Sequence, residues 1–372
     1  MGEDIETIEL LRNSAAAFAK FDGKRVRSWR GRAPGFDRAV WHQMGELGWL
    51  STMVSEDDGA LGLGVEAAAV LAEHLGRACS PEPFLMGSVM WPAILAQASN
   101  QVLKDRLLAF VLPGDMMIAL TWQPVSGALL PEATEIVAER RDGTIKLFGE
   151  CRFVMPAHAD GYMVLAREQG KFLLVWVEPG QIGDGLEERG PDGMPSARLR
   201  LSGLSVPDSV VLLAGNQLAE AVQTAIDQTV IVQSAELCGL MQRCLEMTPD
   251  YLKTRQQFGA PIGSFQALQH RCVDLFIQQE LARHATAAAI RVAVSGGSGT
   301  ALALAASSAK SRAAHAGMLI GTQAIQLHGA IGFTDEYDLG LYMNRIVRLA
   351  ASHGNAAWHR RRFADLSEGA RP

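Results

Sequence analysis

Paired cysteines are missing from this sequence of 372 residues. Its five cysteines (Cys79, Cys151, Cys238, Cys244 and Cys272) are odd in number and form no CxxC unit. A disulfide framework is therefore excluded as an organising device, and buried, inert thiols in a reducing cytoplasm are expected. A surplus of positive charge is missing too. Against 34 Lys and Arg stand 40 Asp and Glu, a net charge of −6, so there is no domain-wide field to neutralise phosphates and no nucleic-acid partner is expected. No apolar run reaches the ~18 uncharged residues of a membrane span. The acidic start MGEDIETIELL lacks the basic region of a secretory signal. No G-x-G-x-x-G follows a strand pattern and no G-x-x-x-x-G-K-[ST] occurs, so neither a Rossmann nor a P-loop nucleotide site is supported. Internal repeats and low-complexity segments are absent as well.

What is present suits a large buried core: 48% hydrophobic and 20% charged residues, in a chain long enough for two or three domains. Residues 1–113 read as helical. AVWHQMGELGWL (39–50) places Val40, Met44, Leu47 and Leu50 on one face, SEDDGALGLG (55–64) is a turn-rich loop, and GVEAAAVLAEHLGRAC (64–79) resumes the helical period until Pro81 and Pro83. Residues 114–213 change character. MMIALTW, TEIVAER, IKLFGECRFVM, GYMVLAR and KFLLVWVE are short β-rich segments separated by turn signals, which predicts a small antiparallel β domain, a barrel, closed by residues 196–212. Residues 214–372 return to helical patterning in four segments, about 216–258, 264–295, 299–328 and 335–367. Their short Gly-rich connections predict a four-helix bundle. The fold class is α+β, mainly α.

The most informative run is YLKTRQQFGAPIGSFQALQH, residues 251–270. Read by itself, Arg255 is a cation near a helix C-terminus, where it complements the dipole. The whole run, however, resembles the acyl-CoA dehydrogenase signature Y-x-x-x-R-x-x-F-G-x-P-[IL]-x-x-F-Q-x-x-Q-H. WHQMGELGWL…EDDGALGLG (41–64), LFGECRFVMPAHADGYMVLAR (147–167) and QAIQLHGAIGFTDEYDLGLYMNR (323–345) resemble three further segments of that family, in the right order. The resemblance implies the family's fold and an FAD-dependent α,β-dehydrogenation of an acyl-CoA thioester, with electrons leaving through an electron-transfer flavoprotein.

In that family each FAD lies between two subunits, and the residues implied for the two sides can be compared. The set reaching across to a neighbour's pyrophosphate and adenosine is present: Arg255, whose fixed donors suit a dianion, Phe258, Gln326, and the close-approach glycines Gly329 and Gly332. An arginine held in a cleft without an anion would be costly, so its retention argues against a flavin-free scaffold. The set facing a subunit's own flavin ring is eroded. Where the family reads L-T-E-P-x-A-G-S-D this chain reads Leu120-Thr121-Trp122-Gln123-Pro124-Val125-Ser126-Gly127-Ala128, so Thr121 survives but the acidic residue and the G-S-D turn do not, and Phe153 and Met155 stand where an aromatic and a flavin-bonding threonine are expected. Methionine cannot donate a hydrogen bond.

The family's base is equally absent. Alignment on Arg345 and Gly354 sets His353 at the glutamate's place, Asn355 at the following threonine and Ile346 at the aspartate. The other known position for the base, on the first bundle helix, holds Thr229. Imidazole can act as a general base, so His353 stands as an atypical candidate. No third ligand joins it and His359 in a metal site. Asp335 and Glu336 sit at a bundle turn and are not placed to reach a substrate α-carbon. The pattern resembles the non-catalytic subunit of two-chain α2β2 steroid-type acyl-CoA dehydrogenases, which hold fewer flavins than subunits. It implies a paralogous catalytic subunit as partner. The alternatives are a self-sufficient homotetramer with His353 as base, and a flavin-free scaffold.

Overall fold

A computed structural model of the chain describes residues 2–95, 97–182, 185–215 and 217–369. Among these residues six helices come first: α1 (Gly2–Phe18), α2 (Gly23–Trp29), α3 (Arg38–Glu46), α4 (Gly64–Arg77), α5 (Pro92–Leu95) and α6 (Gln101–Val111). A sheet and then a second helical block follow, the order helices, sheet, helices expected above. The chain divides into two compact units. One, Trp29–Gly64 with Pro81–Thr229, holds the sheet. The other, Met1–Ser28 with Val65–Ser80 and Val230–Pro372, holds the helical bundle.

The sheet unit contains β1 (Ile118–Thr121), β2 (Val137–Arg141), β3 (Thr144–Val154), β4 (Gly161–Glu168), β5 (Lys171–Val177), β6 (Leu186–Arg189), β7 (Pro195–Pro207) and β8 (Val211–Ala214). Their order is β6-β7-β3-β2-β4-β5-β8, with β1 added alongside β4. Most pairings are antiparallel, but β1 runs parallel to β4 (Ile118 opposite Gly161 through Thr121 opposite Val164), and β2 touches β4 in parallel at Val137 and Arg167. The sheet is thus mixed rather than purely antiparallel. Period-2 patterning reports only which face of a strand is buried, not the direction of its neighbour. Ile145, Leu147, Val164, Ala166, Leu173, Val175 and Leu199 fill its apolar face. Asn100 caps α6 by accepting from the Leu103 N–H at 3.1 Å, and its amide donates to the Val211 carbonyl at 2.9 Å. That double use ties α6 to β8.

The bundle unit is built on α7 (Leu218–Thr254), α8 (Gln266–Val294), α9 (Gly299–His328), α10 (Leu339–Ala351) and α11 (Ala356–Gly369). On α9 the buried stripe Ala303, Ala306, Ala309, Ala313, Ala316, Ile320 and Ala324 recurs every three or four residues, so the helix packs at close range. The segment expected as one helix over 335–367 is two. The sequence Ser352-His353-Gly354-Asn355 breaks it: His353 and Gly354 take φ of 54° and 97°, and Asn355 caps α11 by accepting from the Trp358 N–H at 2.9 Å. Gly354 is required, because a Cβ there would stand 2.7 Å from the Trp358 ring.

Close approach also decides the contact of α4 with α7. A Cβ on Gly239 would collide with the Glu73 carbonyl, and one on Gly76 with the Glu236 carbonyl. Gly239→Ala gains helix propensity of about 1 kcal/mol but forces two backbones apart. We expect a net loss of about 1–3 kcal/mol, read as a lower urea midpoint at unchanged m-value; an unchanged or higher midpoint would mean that α4 shifts without cost. No helix among the described residues is long and apolar enough to cross a membrane.

Candidate functional site

The residues implied to reach across to a neighbour's cofactor lie at one end of the bundle unit. Helix α7 stops at Thr254, so Arg255 is not inside it but opens a tight hairpin, β9 (Gln256–Gln257) against β10 (Ala260–Pro261). The two turn residues, Phe258 and Gly259, have φ of 54° and 79°. Two successive positive φ values define the mirror-image turn that matches strand twist. The hairpin is closed by the Ile262 N–H donating to the Arg255 carbonyl at 2.9 Å. Arg255 is exposed and no carboxylate among the described residues pairs with it. The cleft argument for its retention therefore does not apply to the single chain. Arg255 is a surface cation with its donors available. Phe258 at the hairpin tip is 91% exposed and meets Phe265 edge-on at 6.1 Å.

Gln326, Gly329 and Gly332 stand at the C-terminal end of α9 and in the turn after it. Gln326 is exposed. Gly329 adopts φ 66°, ψ −143°, a conformation open in practice only to glycine, and its N–H closes α9 on the Gln326 and Ile325 carbonyls. A ligand would find open space at Gly329, with nothing within 4 Å of a Cβ there, rather than an unused donor. Gly332 is buried and explained by its own helix: a Cβ would lie 3.0 Å from the Ile325 carbonyl.

Three residues not singled out in the sequence join the two halves of this end. Tyr251, one turn before Arg255, stacks on His328 with ring centroids 4.5 Å apart. His328 Nδ1 lies 2.7 Å from the Ala324 carbonyl, so it carries the proton and donates. Nε2 then accepts from the Tyr337 hydroxyl at 3.0 Å. Burial pushes the His328 pKa down, which favours this neutral tautomer. The signal was present in the sequence as Tyr251, four residues before the arginine, and as His328 beside Gly329, but each reads alone as an ordinary core aromatic.

His353 is placed elsewhere, in the turn between α10 and α11. It is 6% exposed. Its carbonyl accepts from His359 Nε2 at 2.9 Å, and His359 Nδ1 accepts from the Ser307 hydroxyl at 3.3 Å. The contact forms because His353 lies in the turn, with φ 54°, and presents its carbonyl to His359. Behind them Lys310, fully buried on α9, donates to Gln233 Oε1 at 2.8 Å and to the Leu349 carbonyl in the last turn of α10. Gln233 donates onward to Ser352 at 2.6 Å. Burial, then the Lys310 cation, hold both histidines down to about 3, and burial pulls Lys310 down to about 7. The anion on this side is Glu236, itself buried and paired with Arg345 at 2.8 Å. Lys310 occupies the alanine stripe of α9, which is why helical period alone missed it. Thr229 is buried and donates to the Ala225 carbonyl of its own helix at 2.7 Å. Asp227, two positions earlier, faces about 200° away on that helix and does not replace it. Asp335 and Glu336 are exposed on the connection from α9 to α10. Among the described residues no cluster of three His, Cys, Asp or Glu could hold a metal ion.

On the sheet unit the residues at the flavin-ring positions offer little. Thr121 is 1% exposed and lies beside the Cys151 thiol, whose pKa burial pushes up to about 12. Trp122 is buried and spends its indole N–H on the Leu129 carbonyl at 3.1 Å. Phe153 has φ 61°, lies against the Gly127 turn and is covered by the Arg152 guanidinium 4.8 Å from its centroid.

A family model for the acyl-CoA dehydrogenase C-terminal domain matches residues 219–366, and one for the N-terminal domain matches residues 5–115. Acyl-CoA dehydrogenase IpdE2 of Mycobacterium tuberculosis (strain ATCC 25618 / H37Rv) is 30% identical over 357 residues, 94% of this chain and 92% of that protein. The chain belongs to the acyl-CoA dehydrogenase family. A variant of the Tcur3481-Tcur3483 steroid ACAD matches with a TM-score of 0.87 at 25% identity, covering 99% of each chain. Butyryl-CoA dehydrogenase from Megasphaera elsdenii shares the fold, with a TM-score of 0.85 at 19% identity over 96% of this chain and 98% of that one. Acyl-CoA dehydrogenases are FAD-dependent oxidoreductases acting on CH–CH bonds. The bundle-end residues suit the phosphate portion of that cofactor, because Arg255 presents unpaired donors and Gly329 leaves open space at the same end of the bundle. The sheet-side residues fit its ring less well: Met155 has no hydroxyl to offer it, and the Thr121 hydroxyl is buried, without a hydrogen-bond partner among the described residues.

Proposed function

We propose that this chain is the cofactor-completing, non-catalytic subunit of a heteromeric acyl-CoA dehydrogenase. In this reading Arg255, Phe258, Gln326, Gly329 and Gly332 grip FAD carried mainly by a paralogous catalytic subunit. The carrying observation is the asymmetry between an exposed, unpaired Arg255 on the bundle end and a sheet side where Thr121 is buried and Met155 has no donor. Residues 1–113, 114–213 and 214–372 would be its helical, β and bundle domains. The complex removes a proton from Cα and a hydride from Cβ of an acyl-CoA thioester, leaving a C=C bond. When bound, the flavin supplies the hydride acceptor, and an electron-transfer flavoprotein takes the electrons onward. Arg255 neutralises the pyrophosphate, and Phe258 covers the site from the hairpin tip. A steroid-derived acyl group is favoured by the likeness to a steroid ACAD.

Exposed apolar residues support a partner. Val273, Phe276, Ile277 and Leu281 recur along one face of α8, and Phe333, 77% exposed, stands beside the α9 end. A contiguous apolar face of this kind marks an interaction surface. The rival reading, a homotetramer using His353 as base, is disfavoured by that histidine's burial: an abstracting nitrogen must come within hydrogen-bond reach of the substrate proton.

Arg255→Ala tests the reading. Loss of a charge-assisted bidentate contact costs about 1.5–3 kcal/mol, so FAD should leave the assembled enzyme roughly 10- to 100-fold faster, followed by flavin fluorescence after dilution. An unchanged rate means that this arginine grips no cofactor.

A further inference from the structure

We propose that His328, with Tyr251 and Tyr337, is a positioning unit that fixes the two halves of the outward nucleotide grip relative to each other. This rests on the reading that Arg255 serves a neighbour's FAD, and it assigns what holds that arginine in register. The grip is divided between two strands of chain that end independently. Arg255 and Phe258 hang from the end of α7, and Gln326 and Gly329 from the end of α9. A hairpin of two-residue strands has little intrinsic stability, so its direction must be set from its root. Tyr251 is that root, one helical turn before Arg255.

The 4.5 Å stack of Tyr251 on His328 is a side-chain contact linking the two roots. His328 is held in turn by two directional bonds, 2.7 Å to the Ala324 carbonyl and 3.0 Å from the Tyr337 hydroxyl. The Tyr337 ring lies 6.4 Å from Tyr251 and 5.0 Å from His328, so the three rings form a closed set. Tyr337 is anchored from outside the set, since the neighbouring Asp335 carbonyl accepts from Arg27 Nε at 2.8 Å and Asp338 accepts from Arg27 at 2.7 Å. The imidazole is doubly bonded and stacked, hence fixed in tautomer and plane. A fixed ring at the end of α9 is the kind of support that keeps a binding geometry within a fraction of an ångström. None of the three touches a ligand in this scheme. They act through Arg255 and Gln326.

The test uses the flavin-loaded oligomer, with whichever subunit supplies the ring-side half, and FAD as probe. Tyr337→Phe removes one hydrogen bond and keeps the ring, so the subunit folds. His328→Leu removes both bonds, and His328→Gln restores an acceptor toward Tyr337. We expect FAD dissociation to rise about three- to tenfold for Tyr337→Phe and more for His328→Leu. Partial rescue by His328→Gln should follow, with little change in kcat for the fraction still loaded. Arg255→Ala runs alongside. If Arg255→Ala speeds flavin loss and the three ring variants change only the unfolding temperature, the ring set is merely structural and this inference falls alone. If Arg255→Ala has no effect either, it falls together with the reading beneath it.

Discussion

Acidification from pH 7 to pH 4 is expected to remove several kcal/mol of stability from the helical bundle. His353 and His359 are buried and neutral, with pKa held down from 6.5 to about 3 by burial first and by the Lys310 cation second. In the unfolded chain both return to the ordinary value. Above pH 6.5 neither state binds these protons and stability is unaffected. Below it the unfolded state binds two protons that the folded state refuses, so stability falls as pH falls, until the folded values near 3 are reached. One proton corresponds to about 1.4 kcal/mol per pH unit, so two histidines cost roughly 5 kcal/mol between pH 6.5 and pH 4.5. That is comparable with the whole stability of many domains. Lys310, Ser307 and Arg362 face the pair, and Lys310 is itself bonded to Gln233 and acted on by Glu236, which is paired with Arg345. Lys310 does not add to this slope. Its pKa is lowered from 10.5 to about 7, so its own contribution lies higher, where stability should rise with pH from about 7 to 10.5. Urea midpoints across pH 4–8 measure the acid limb. In the double variant His353→Asn, His359→Gln the limb should flatten. Asparagine tolerates the positive φ of residue 353, and glutamine keeps a donor toward its carbonyl. Equal slopes in wild type and variant would show that other groups govern acid unfolding.

Much of the fold was legible in the sequence because burial has a period. The helical stripe of α9, the β segments between 116 and 212 and the Gly-rich connections each follow from where apolar residues recur. What was not legible depends on contacts between distant segments. The parallel pairing of β1 with β4 leaves no mark in either strand's own alternation. The break at Ser352-His353-Gly354-Asn355 does leave one, a glycine followed by an asparagine cap, but His353 stands where the family has its base, and that resemblance masks the turn it makes. The candidate site shows the same division. Arg255, Phe258 and Gln326 were found by motif and lie exposed at one end of the bundle, whereas Gly332 has a sufficient reason in its packing against α9. Lys310 and the Tyr251–His328–Tyr337 set escaped because a buried lysine in an alanine stripe and a stacked histidine are defined by neighbours 9–77 residues away.

Isolated from any partner, this chain is expected to dehydrogenate acyl-CoA at no more than about 10⁻² to 10⁻⁴ of the rate of its complex. Positioned general base catalysis contributes that factor, and the groups at the two known positions cannot provide it. Thr229 is buried with its hydroxyl turned back on its own helix, and His353 is enclosed beneath the turn after α10 with its protonated form strongly disfavoured. Flavin content gives a second, independent reading of the same question. Thr121 is buried beside Cys151, and the methionine at 155 cannot donate to a flavin ring. An assembly with a catalytic paralogue should therefore carry fewer flavins than chains. Flavin absorbance against total protein gives that ratio, and dye-linked turnover gives the rate. His353→Ala separates the rival reading within the same preparation, since activity that depended on an imidazole base would vanish with it and activity supplied by a partner's carboxylate would not. One flavin per chain together with full turnover in a homo-oligomer of this polypeptide would refute the division between outward grip and absent base, because the sheet side and the turn at His353 would then be performing the roles their burial and chemistry deny them.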